Sequence, residues 1–133
     1  MVLPGIQALF GFQLVAVFTS GFEHVSQNHR LMHFLSLFAT VTAIALIMTP
    51  AAYHRIAEEW SASARFMRNS SRLIAGAMIA LMIALTIEVV LIGDVLFSSG
   101  TIDWVLATVL VVLFGGLWFL WPLATRRRVR KYR

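Results

Sequence analysis

The chain contains no cysteine, which excludes disulfides, thiolate zinc sites, iron–sulfur clusters and thiol nucleophiles. Acidic side chains are scarce: six Asp and Glu stand against eleven Lys and Arg in 133 residues. Charged residues make up only 13% of the chain, where soluble domains carry about 25%. Proline occurs three times, at Pro4, Pro50 and Pro122, each near an end of an apolar segment. The serines gather in the polar joints, with no nucleophile–base–orienter arrangement around them and no phosphate-cradling glycine loop. Nothing identifies an enzyme.

What is present is apolar. Hydrophobic residues account for 59% of the sequence and the mean hydropathy is +0.82. A chain this short cannot hide that much apolar surface from water, so the bilayer has to be part of its solvent. The length predicts one domain, 1–133. Four apolar segments, about 3–22, 31–53, 73–97 and 102–124, predict an all-α integral membrane bundle of four transmembrane helices. Residues 1–22 lack a basic start and a small-residue cleavage site, so the first segment reads as a retained helix, not a signal peptide.

Charge placement predicts the orientation. Arg55, Arg65, Arg68 and Arg72 lie between the second and third segments. Arg126, Arg127, Arg128, Arg130, Lys131 and Arg133 form a basic tail within 125–133. Of the basic residues, Arg30 alone falls in the opposite joints. The positive-inside rule then makes both termini cytoplasmic, in up-down-up-down order. Tyr53, Trp60, Trp118 and Trp121 would form the inner aromatic belt, and Phe97 and Trp104 the outer one. The tail follows an apolar helix and lacks a folded reading platform, which points to anionic lipid headgroups and away from nucleic acid. Between the second and third segments, Ile56, Trp60 and Met67 predict a short amphipathic surface helix, with Asn69 or Ser70 capping the third span.

Polar residues inside these segments are the functional candidates. Glu88 lies fifteen residues after Leu73, about 22 Å along a helix, where hydrocarbon is expected. A carboxylate there must be paired, protonated or facing water, and such residues mark ion and proton pathways. Gly76, Ala80 and Ala84 precede it at four-residue spacing, the pattern of a close helix contact, so Glu88 should point into protein. Either it handles an ion or proton, or it is bonded to Gln13 or a threonine as structural glue. The second segment carries a small and partly polar stripe: His33, Ser36, Thr40, Ala43, Ile47, Pro50 and His54. That stripe lines a wet path or lets another helix approach closely. Gln7 and Gln13 on the first segment suit interhelical amide bonds.

Titratable groups collect toward the outer side: Glu23, His24, His29 and His33, with Asp94 and Asp103 at the same level. His29 and His33 are four apart, the spacing at which two imidazoles on a helix meet one divalent metal ion. Haem would need facing axial histidines, and His33 and His54 stand at opposite ends of one segment, which leaves only a site shared across a homodimer. No cofactor is expected beyond these two openings.

Three stretches carry a family resemblance: LPGIQALFGF at 3–12, PAAYHR at 50–55 and DVLF at 94–97, with weaker support from the tryptophan-to-proline ending at 118–122. On these motifs the chain resembles a family of uncharacterised small bacterial four-span membrane proteins, some of whose members are labelled sodium:proton antiporters. The resemblance draws attention to Gln7, Tyr53, His54, Arg55 and Asp94, which stand inside the matching motifs.

The leading expectation is a homo-oligomeric protein that conducts protons or cations. Glu88 would be the intramembrane site, Asp94 and His33 its outer mouth, and Gln13 and Thr40 part of the route. Tyr53, His54 and Arg55, with Arg126, Arg127 and Arg128, would mark the inner mouth or hold lipid. The competing expectation is a non-catalytic accessory subunit of a larger membrane complex; a third is a membrane metal or haem binder.

Overall fold

A computed structural model describes residues 3–19, 22, 25–57, 64–97 and 99–125. Among them are four α-helices: α1 Leu3–Val17, α2 Gln27–Ala57, α3 Ala64–Phe97 and α4 Gly100–Gly115. One turn of π-helix, Gly116–Leu120, follows α4, and the backbone stays helical to Thr125. Three helical stretches are long and apolar enough to cross a membrane: Gln27–Ile56, Phe66–Phe97 and Gly100–Thr125. The shortest of them, 26 residues, extends about 39 Å and exceeds a hydrocarbon core of about 30 Å.

The first helix is shorter than its apolar run. It has 15 residues, about 22 Å, and stops at Val17, five residues before the predicted end. The reason is local. Phe18 N–H bonds back to Val15 O, Thr19 N–H to Ala16 O, and the Thr19 hydroxyl also donates to Ala16 O at 2.7 Å. These three-residue closures tighten the last turn and satisfy its orphan carbonyls.

The next two helices are longer than predicted. Ser26 caps α2, its hydroxyl accepting the His29 N–H, so the helix starts before Leu31. Of the residues expected in a separate surface helix, Ile56 belongs to α2 and Met67 to α3, while Trp60 lies outside the described residues. Asn69 and Ser70 are interior to α3 and do not cap it. Arg55 and Ala57 in α2 and Ala64, Met67 and Arg68 in α3 are good helix formers, and α2 continues past Pro50 to Ala57.

The chain divides into two compact units, Met1–Leu85 and Thr86–Arg133. In the first, α1 and α3 both pack on α2 around Ile6, Gln13, His33, Ser36, Thr40, Ala43, Ala77 and Ala84, all buried. Small residues permit this: Leu46 Cδ1 lies 3.5 Å from where a Cβ on Gly76 would be. In the second unit the end of α3 crosses the start of α4 at Gly93. A Cβ built there would stand 2.6 Å from Leu106 Cδ1, closer than real contacts come. A side chain at Gly93 would require the Leu106 side chain to shift.

Many hydroxyls within the spans satisfy themselves. Thr42, Thr49, Thr108 and Thr125 each donate to the carbonyl four residues back, at 2.7–3.1 Å. An exposed threonine bonded in this way can face lipid without a dangling donor.

Candidate functional site

The buried polar groups of the first unit are bonded to one another. Gln13 Nε2 on α1 donates to Ser36 Oγ on α2 at 2.8 Å. Ser36 Oγ donates in turn to Ala84 O on α3 at 3.0 Å, so one serine hydroxyl ties three helices. Thr40 Oγ1, one turn along, donates to Ser36 O at 3.1 Å. His33 Nε2 lies 3.0 Å from Gln13 O. A carbonyl can only accept, so Nε2 is the donor in this bond. Phe22 closes the histidine's side, edge-on at 5.4 Å between ring centroids.

The sequence placed Gln13, His33 and Thr40 on one route, and the fold does bring them together. Their chemistry is that of a clamp. Both hydroxyl protons end on backbone carbonyls, which cannot hand a proton onward. Ser36 and Thr40 are 0% exposed within the chain. The α2 stripe is buried at His33, Ser36, Thr40 and Ala43, whereas His54, at its far end, is exposed. Ser36 is the residue that pattern reading undervalued. It stood in the stripe, but a lone serine carries no charge to single it out.

His29 and His33 make different hydrogen bonds. The His29 Nδ1 is hydrogen-bonded to Ser26 Oγ at the helix cap, while His33 turns its Nε2 to Gln13. Glu23 and His24 lie outside the described residues. Among the described residues, no three His, Cys, Asp or Glu side chains gather closely enough to hold a metal ion.

The carboxylates belong to the second unit. Glu88, Asp94 and Asp103 are each half-buried. Glu88 sits within Phe66–Phe97, nine residues before its end, or about 14 Å along the helix. Asp103 Oδ1 lies 3.5 Å from the Cβ position of Gly93, which puts it at the level of Asp94, as the sequence predicted.

A further cluster closes the other end of the α2–α3 hairpin. The Phe66 ring stacks on Tyr53, 5.6 Å between centroids and 15° between planes, and lies 5.6 Å from His54. Tyr53, His54 and Arg55 are exposed. Phe66 had no place in the sequence-based site, because an isolated phenylalanine before an apolar helix reads as membrane-facing. Arg126, Arg127 and Arg128 lie outside the described residues.

A profile described as a family of unknown function, DUF6328, matches residues 1–122. The chain belongs to the DUF6328 family. The match takes in all four helices, the polar clamp, the three carboxylates and the LPGIQALFGF, PAAYHR and DVLF stretches, and it ends before the basic tail. No curated protein and no solved structure matches this DUF6328 chain.

Proposed function

We propose that this DUF6328 protein is a multi-pass protein of a bacterial cytoplasmic membrane that conducts protons or cations as a homo-oligomer, with Glu88 as the intramembrane site. The supporting observation is the position of Glu88, half-buried inside a helix long and apolar enough to span. Keeping a carboxylate there costs several kcal/mol, about 2.5–3.5 by insertion scales, and an inert packing position would be filled more cheaply by Leu or Ala. Asp94, six residues on, and Asp103 at the same level supply negative charge for an outer mouth that attracts cations. Gln13, Ser36, Thr40 and His33 hold the helices in place and leave conduction to the carboxylates. Ten of the eleven basic residues share one side in the up-down-up-down order, which puts both termini in the cytoplasm. In that topology α1 is the fourth crossing, its 15-residue length met by local thinning of the bilayer.

One observation favours a second reading, an accessory subunit of a larger complex. No residue of α4 is buried, and Trp104, Val105, Val109 and Val112 are all more than half exposed. Such a face is suited to lipid or to the helix of a partner.

Proton and cation flux into liposomes holding the purified protein separates these readings. A conductor shows flux that falls by at least tenfold in a folded Glu88→Gln variant. An accessory subunit shows none and is recovered with other polypeptides from native membranes.

A further inference from the structure

We propose that Arg68 and Arg72 form a binding site for the phosphate groups of anionic phospholipids on the outward face of α3, independently of any ion handling at Glu88. The two residues are one helical turn apart and both are exposed. Among the described residues, no carboxylate forms an ion pair with either of them or with Arg55. Glu58 and Glu59 lie outside the described residues, yet they are two against four arginines, Arg55, Arg65, Arg68 and Arg72. Two positive charges are left over however those glutamates are placed.

The level of the pair within the bilayer follows from the helix contacts. Leu46 against Gly76 marks apolar packing, and Phe66 against Tyr53 and His54 marks an aromatic rim ten residues earlier on α3, about 15 Å away. Leu73 begins the uninterrupted apolar run. Arg72 thus stands at the hydrocarbon edge, Arg68 about 6 Å outside it, and the aromatic rim about 9 Å outside. The headgroup layer on each side of a bilayer is about 5–8 Å deep, so both guanidinium groups fall within it.

The same helix face shows that the phosphate is a lipid's. Continuing the Arg68–Arg72 row inward by seven and four residues reaches Ile79 and Ile83, both exposed. One face thus offers guanidinium groups at phosphate depth and isoleucines at acyl-chain depth, which matches a phospholipid along its length. A soluble phosphate would use only the arginines. The planar guanidinium forks suit phosphate oxygens bidentately, while the aliphatic stems lie on apolar surface.

The test is native mass spectrometry of the full chain released from nanodiscs of phosphatidylglycerol mixed with phosphatidylcholine. Wild type is compared with Arg68→Gln/Arg72→Gln and with a tail variant, Arg126→Gln/Arg127→Gln/Arg128→Gln. Wild type should retain phosphatidylglycerol in preference, and the α3 double variant should lose that preference by roughly thirtyfold while the tail variant keeps most of it. Circular dichroism establishes that both variants are folded. Retention unchanged in the α3 variant, or lost only in the tail variant, overturns the site. Inorganic phosphate competing the lipid away at millimolar concentration overturns the assignment to lipid.

Discussion

The two units of this chain are both helical and apolar, yet they hold their helices differently. In Met1–Leu85 the contact surface is polar at its centre: four buried polar residues, Gln13, His33, Ser36 and Thr40, bond across or along the helices. In Thr86–Arg133 the helices meet at Gly93 with Leu106 against it, and no residue of α4 is buried. The difference shows what polar groups do where water is scarce. A buried donor must find its acceptor, so it specifies which helix stands where; a glycine permits closeness without choosing a partner. The first unit is fixed by its own bonds, and the second leaves a face to lipid or to another chain.

The largest predicted effect strikes the hub. Ser36→Leu places a bulky side chain where a 0% exposed serine joins three helices and removes both of its bonds. It should cost about 3 kcal/mol, read as a lower midpoint in a sodium dodecyl sulfate unfolding titration. Ser36→Ala keeps the space and loses the bonds, and should cost about 1–2 kcal/mol. If both variants unfold like wild type, the polar clamp is not what holds the first unit.

Gly93→Ala sharpens the contrast from the other side. Its Cβ would meet the far end of a flexible leucine, so the helices should yield at about 1 kcal/mol or less, and Leu106→Ala should restore the loss. A penalty as large as that of Ser36→Leu would mean the second crossing is as tightly specified as the first. The smallest effect belongs to α4: Val112→Ala, on an exposed position, should stay within about 0.5 kcal/mol in detergent. A larger loss, dependent on protein concentration, would reveal a second copy on that face.

Much of this was legible from pattern. Apolar runs gave the number of helices, and the three- and four-residue spacing put His33, Ser36, Thr40 and Ala43 on one face, where the fold buries them. Spacing gave the face but not where each hydroxyl proton goes. Here Ser36 and Thr40 spend theirs on Ala84 O and Ser36 O. Helix ends were harder to read. The stop at Val17 comes from turn bonds made by Phe18 and Thr19 inside an apolar stretch, and hydropathy does not register them. The pattern gives a separate surface helix around Ile56 and Met67, which belong instead to the charged extensions of α2 and α3. Phe66 gained its role from Tyr53 and His54, thirteen and twelve residues earlier.

The central claim is that Glu88 carries ions or protons while the Gln13–Ser36 clamp carries the fold. Flux into liposomes, measured side by side for wild type, Glu88→Gln and Gln13→Leu, tests it most directly. The account predicts that Glu88→Gln keeps its unfolding midpoint and loses flux at least tenfold. It predicts that Gln13→Leu loses stability yet conducts in whatever fraction remains folded. Undiminished flux in Glu88→Gln, or no flux in well-folded wild type, would contradict it.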